Sequence, residues 1–486
     1  MNQRDRRGYI AVAGAEEADP IAISVLYDLS WAAWSVFRSE YIWLDRLCLM
    51  QENSVDKKWQ IAQMFNIYHG CKTCIVIPGG LQRLVTLEEE TQWVDRAWTL
   101  QEVTAPQVIK VFALYNPNSP ANSILARFQS DGKSWGGTML VHYDDNAHRA
   151  IMYMGEAMWH FTPDQPYRCF GFKASQYSAV AHCLDGVNKK QHEWIWKAAM
   201  MRTSSRPCDR IYSIMGLFDV TLDQDNWDKD DTVGPAIALV QTSLAAAAHQ
   251  GRPAYKWNQA TPPKDLSWLL CTYWMDPHPD YSIFPRFPET TVDGPAVWVR
   301  ADGSRVKVAD ALEYRLNDLR PHWITNVQSG PNAMSNRGYL TLTSFRVLPL
   351  TDLTNQYPSA PIPPPERCSM ISPSVFFCPF TGTYWGLWQP QYGYDWGYCI
   401  SQADSLAVNI GGSNGQYVDP YGGRTYFQED TYIIVKRHAP GKFHRITHIN
   451  ILRPSEHPFD YMMAFGGVTV TIGGPTRYVN KKSKRK

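Results

Sequence analysis

The sequence predicts an α/β amino-terminal region built on a parallel sheet, a helical middle, and a β-rich carboxyl-terminal part. Three observations carry this. The first 115 residues alternate continuous apolar runs with stretches of helical spacing, the pattern of strands buried on both faces between covering helices. Residues 145–250 hold long helical patterns such as "HEWIWKAAMMR" and "VGPAIALVQTSLAAAAHQ". From about residue 290 the pattern turns to short alternating runs, "AVWVRADGSRVKVAD" and "RGYLTLTSFRVLPL" among them, which fit half-buried strands. We therefore divide the chain into residues 1–115, 116–289 and 290–486. No internal repeat is evident.

The elements follow in order. "GYIAVAG" (8–14) reads as a first strand, and 20–38 as a helix with Pro20 suited to its first turn. "YIWLDRLCLM" (41–50) begins as an apolar strand and runs into a polar loop. A helix follows, with Ile61, Met64, Phe65 and Tyr68 on one face and Asn53 or Ser54 as its cap. "TCIVIPGG" (73–80) is a buried strand ended by Pro and Gly, and "QVIKVFAL" (107–114) is another. Between them "DRAWTLQE" (95–102) reads as helix, stopped by Pro106. Asp95, Trp98 and Glu102 are spaced three and four apart and so would share one helical face. In parallel sheets ligands collect at the carboxyl ends of strands, where the loops around 45–53 and beyond 80 would lie. "YPSAPIPPP" (357–365) is a stiff connector.

Bulk properties exclude several classes. The 486-residue chain, 44% hydrophobic and 19% charged, is a folded globular protein of more than one domain. A net charge of +1 argues against nucleic acid or an acidic membrane as main partner. The terminal "KKSKRK" reads as a solvated tail. No run approaches the roughly 18–20 apolar residues of a membrane span. The charged amino terminus lacks a signal-peptide core, and no Asn-x-Ser/Thr acceptor is present. With ten scattered cysteines, these features make the cytoplasm the expected location.

Several motifs favour their plainer reading. Cys71-Lys-Thr-Cys74 enters a strand instead of opening a helix, so two buried thiols are expected rather than a redox pair. "HYDDNAH" (142–148) reads as a polar loop, not a metal site. "GGSNGQYVDPYGG" (411–423) lacks the Gly-Lys-Ser/Thr ending of a phosphate loop and reads as a turn between strands. The aromatic stretch 382–399 reads as β core. No metal ligands and no resident cofactor are expected. Hydrolase elbows and zinc-protease signatures are absent.

Three blocks in fixed order resemble the fungal heterokaryon-incompatibility (HET) domain: Trp43-Leu-Asp45-Arg46-Leu-Cys48-Leu-Met-Gln51, then Met64-x-x-Ile67-Tyr68 before an apolar strand, then Arg96-x-Trp98-Thr99-x-Gln101-Glu102. "PCDRIYSIMGLF" (207–218) resembles the continuation past that domain, so the likeness spans about 8–220. The first strand departs from the family by lacking its usual Trp.

HET domains are similar to TIR domains, which implies a flavodoxin/TIR-like parallel sheet. Some TIR domains cleave NAD with the glutamate of a W-x-x-x-E helix, and Trp98-Thr-Leu-Gln-Glu102 has that spacing. The resemblance thus implies Glu102 as catalytic residue, Trp98, Asp45, Arg46 and Gln51 as substrate-binding residues, and NAD as substrate. It also implies a role in non-self recognition and regulated cell death, with protein partners or self-association. On the residues alone, Trp98 is equally a core indole, and the alternative, favoured by the missing first-strand Trp, is a non-enzymatic interaction scaffold with a degenerate pocket.

Overall fold

A computed structural model describes residues 8–14, 18–50, 52–86, 88–114, 139–144, 147–153, 191–249, 267–270, 275–289, 294–299, 303–313, 333–344, 346–356, 369–372, 375–378, 383–387, 396–418, 424–453 and 467–480, with Gly171, Gln176, Ala179, Val180 and Cys183. The chain forms two compact units. One comprises residues 1–230 with 288–316, the other 231–287 with 317–486.

In the first unit, strands β1 (Tyr9–Ile10) and β2 (Ile21–Ala22) pair with each other, antiparallel and apart from the main sheet. Helix α1 (Ile23–Ser35) follows, then the short α2 (Asp45–Cys48) and the longer α3 (Ser54–Gly70). The Asn53 side chain accepts hydrogen bonds from Val55 N and Asp56 N at 3.1 Å each, which satisfies two donors that a helix start leaves open. Strand β3 (Cys74–Val76) leads through a 3₁₀ turn (Gln92–Asp95) to α4 (Thr99–Thr104) and β4 (Ile109–Leu114). Strands β5 (Met139–Asp144) and β6 (Ala147–Tyr153), helices α5 (Gln191–Met200) and α6 (Asp209–Met215), and the hairpin β7 (Val297–Val299)–β8 (Arg305–Lys307) also belong to it.

The expected parallel sheet is much reduced. The order is β3-β4-β6-β5, and only β3 and β4 run parallel, with Cys74 opposite Ile109 and Val76 opposite Val111. β6 joins β4 antiparallel, and β5 joins β6 antiparallel. The expected strand at 41–44 does not form: Tyr41 is 87% exposed and Ile42 38%, so this run has no sheet to be buried in. Its Trp43 packs instead edge-on to Tyr68 of α3, ring centroids 5.7 Å apart. "HYDDNAH", expected as a loop, contributes to the β5–β6 hairpin, with His142 opposite His148.

β4 behaves as predicted for a central strand, with Ile109 through Ala113 all buried. Val25, Leu29 and Ala32 of α1, at four- and three-residue spacing, pack with Phe112, Leu84 and Ile75. Each buried aliphatic of this kind is worth about 1.5–3 kcal/mol. Beside this layer α5 is buried almost throughout, and Glu193 and Lys197 form an ion pair at 2.7 Å with side chains only 3% and 1% exposed.

The second unit is dominated by a ten-stranded sheet. Its strands are β9 (Ala333–Met334), β10 (Leu340–Ser344), β11 (Val347–Asp352), β12 (Ser369–Ser372), β13 (Val375–Cys378), β14 (Thr383–Leu387), β15 (Ser405–Val418), β16 (Arg424–Ala439), β17 (Lys442–Arg453) and β18 (Val468–Ile472). The order is β12-β13-β14-β11-β15-β16-β17-β18-β10-β9, antiparallel except where β17 meets β18. The β-rich carboxyl-terminal expectation is thus met. Leu348, Leu350, Trp385, Ala407, Tyr432, Ile434 and Ile449 form one core, since residues two apart share a face. The Gly-rich stretch at 411 is strand as far as Val418 instead of a turn, with an irregular register between Asn409 and Gly411; residues 419–423 lie outside the described ones.

Candidate functional site

The segment 93–104 is assembled by distant partners. Arg96 forms a β-bridge with Thr203: Thr203 N donates to Asp95 O (2.6 Å) and Ala97 N to Thr203 O (2.8 Å). Arg96 is therefore extended (φ −78°, ψ 135°), and the 3₁₀ turn and α4 are separate elements. The single helical face expected for Asp95, Trp98 and Glu102 does not exist. Asp95 accepts from Gln176 Nε2 at 2.7 Å, the Trp98 indole donates to Asp209 at 3.3 Å, and Glu102 accepts from Trp93 Nε1 at 3.0 Å.

Arg202 locks this turn. Its Nη1 donates to Val94 O (2.7 Å), Arg96 O (3.1 Å) and Thr99 Oγ1 (2.9 Å) while the residue is 2% exposed. Burial pulls its pKa down to about 10, against the pull of Asp95, Cys183 and Glu102. Arg210, fully buried, donates through Nε to Arg202 O and through Nη2 to Pro288 O; burial brings it to about 9. Sequence reasoning missed both arginines as organisers. Their signal was an arginine closing the apolar run "WIWKAAMMR" and a second one, eight residues on, inside the apolar stretch "PCDRIYSIMGLF".

Around Glu102 the three blocks meet. The Glu102 carboxyl lies above the usual carboxylate range, first because of burial, with Asp45 adding to the rise and Trp93, Arg96 and Arg202 opposing it. Tyr68 is driven above the ordinary phenol range by burial, then by Glu102 and Asp45. Burial and Glu102 likewise raise Cys74, and burial raises Cys71, whose thiol donates to Tyr68 O at 3.0 Å. Both thiols are free, and neither opens a helix. Asp45 from the first block, Tyr68 from the second and Arg96 from the third thus lie close enough to influence one acid, Glu102, and Trp43 packs on Tyr68. A carboxyl raised by burial suits proton transfer, and once ionised, with Arg96 and Arg202 favouring that form, it would stabilise a developing cation.

The remaining expected residues stand as follows. Asp45 begins α2 and accepts from Arg46 N at 2.7 Å. Arg46 sends its guanidinium to Asp19 O. Trp98 is turned to Asp209, whose carboxyl burial raises. Gln51 lies outside the described residues. No group of three metal-ligating side chains occurs among the described residues.

Residues 24–89 match the family model of the heterokaryon incompatibility protein (HET). The chain carries a HET segment. It contains the first two blocks and ends before Arg96, so the third block joins it through the structure, beyond the matched residues. No curated protein and no solved structure matches the chain. No described helix is long and apolar enough to cross a membrane.

Proposed function

We propose that this HET protein acts in heterokaryon incompatibility by cleaving NAD at the nicotinamide glycosidic bond, in the cytoplasm, as a trigger of regulated cell death. The observation that carries the reading is the gathering of Asp45, Tyr68 and Arg96 near the partly shielded Glu102. Cleavage of a bond to cationic nicotinamide develops oxocarbenium charge on the ribose, which water captures to give ADP-ribose as neutral nicotinamide leaves. A carboxylate held in a low-dielectric wall stabilises that charge more than one in water. The leaving group is already cationic, so one acid suffices. Asp45, and Arg46 and Gln51 beyond it, would hold ribose hydroxyls or phosphate; Trp98 would close the wall on the Asp209 side. The TIR-like relation belongs to this proposal.

The test is nicotinamide release from NAD by purified, artificially clustered protein. Release by the wild type and its loss in Glu102→Ala is expected. Absence of release in both sinks the enzymatic reading.

A second reading has its own observation. Tyr41, Leu47, Met50, Val55 and Trp59 of the HET segment are 87%, 44%, 61%, 76% and 62% exposed, all within residues 41–59. It makes the segment an interaction scaffold that recruits protein partners. Toxicity that survives Glu102→Ala but not Trp59→Asp would favour it.

A further inference from the structure

A second polar site lies on the other side of the 3₁₀ turn. A cavity of about 200 Å³ opens there, entirely within the first unit, between residues 90–95, Gly171 and Gln176, and residues 294–295 and 307–310. Asp95 reaches it from the turn, held by Gln176 at 2.7 Å. Glu90 and Asp310 add two further carboxylates, and Lys307, at the end of β8, is the one basic side chain in the lining.

The wall is tightly built at one point. Gly171 has φ +84°, and a Cβ there would meet Glu90 Cγ at 2.5 Å, so only glycine brings the two segments together. Burial raises the Asp95 carboxyl most, the Gln176 hydrogen bond and Arg202 pull it back, and Lys307 and Glu90 add smaller, opposite influences.

Size and charge together restrict the occupant. The volume is below the roughly 300–1,000 Å³ typical of sites for drug-sized ligands, so a dinucleotide does not fit and a single metabolite-sized molecule does. Three acids facing one base call for a ligand with two cationic nitrogens and one carboxylate. We propose that this cavity binds a free basic α-amino acid, its carboxylate on Lys307 and its two ammonium-type groups on Asp95, Glu90 and Asp310. The reading is independent of Glu102 and of NAD. The turn that carries Asp95 into the cavity also carries Trp93, whose indole holds Glu102.

Isothermal titration of the full chain with L-ornithine and L-lysine tests this, with L-norleucine, L-glutamate and 1,5-diaminopentane as probes of each charge. Saturable binding of ornithine or lysine is expected, with the three others at least about tenfold weaker, as the loss of one charged hydrogen bond implies. Lys307→Gln, at an exposed position, should weaken lysine about tenfold and erase its advantage over diaminopentane. Asp95→Asn should weaken both basic amino acids similarly. Should Asp95→Asn misfold, Lys307→Gln decides alone. No saturable heat with ornithine or lysine, equal binding of norleucine, or binding indifferent to Lys307→Gln overturns the proposal.

Discussion

The Trp93–Glu102 contact yields the sharpest prediction. Trp93 is 6% exposed and gives its indole N–H to a carboxyl at 3.0 Å. A hydrogen bond to a charged acceptor is worth about 1.5–3 kcal/mol, and one between neutral groups about 0.5–1.5. Trp93→Phe therefore costs about 1–2 kcal/mol more in the wild type than in the Glu102→Gln background. The loss of ring volume is common to both arms and cancels. Because burial sets the folded-state carboxyl above the usual carboxylate range, the neutral form is the one the fold prefers. The stability owed to Glu102 is complete below the ordinary carboxylate pKa and is lost as pH rises through the raised value. The Trp93 coupling runs the opposite way, growing as the carboxyl ionises and shrinking as it protonates. A chain with two compact units need not unfold in one step, so the assay is amide hydrogen exchange over peptides spanning 92–104. A coupling below about 0.3 kcal/mol at pH 8, or one unchanged by acidification, would refute the argument.

Other outcomes follow from single sites. Lys197→Met strands Glu193 in the interior and should cost about 3–5 kcal/mol, read as early loss of protection over 191–200. Gly216→Ala places a methyl against Phe65 of α3, whose Cγ would lie 2.9 Å away; a cost of about 1–3 kcal/mol from overpacking is expected, seen as a lower thermal midpoint. Asn53→Ala removes the α3 cap and should cost about 1 kcal/mol, with faster exchange at Val55 and Asp56. Asp209, raised by burial like Glu102, predicts that Asp209→Asn gains stability relative to wild type as pH rises above the ordinary carboxylate range. Calorimetric scans between pH 4 and 8 check the sign.

Local chemistry was legible where neighbours in sequence decide the outcome. The α3 cap at Asn53, the continuously buried β4 and the alternating strands of the second unit each follow from short-range pattern. The apolar run at 41–44 misled because apolar content cannot say whether a partner strand exists. Trp43 found an aromatic neighbour on α3, and Tyr41 was left in solvent. The site was half legible. Glu102 and Asp45 were named from the blocks and meet through Tyr68, whereas Trp93, the residue that touches Glu102, was not.

By itself the sequence determined composition, the mixed α/β character and the order of the HET blocks, since these depend on residue type and short spacing. Only the tertiary structure decided where the side chains of 95–102 point. A helical face lasts as long as the helix does, and the bridge from Thr203, held by Arg202 from over a hundred residues away, ends it at Arg96. Backbone hydrogen bonds from a remote segment outweigh local propensity, and no spacing within the octapeptide records them.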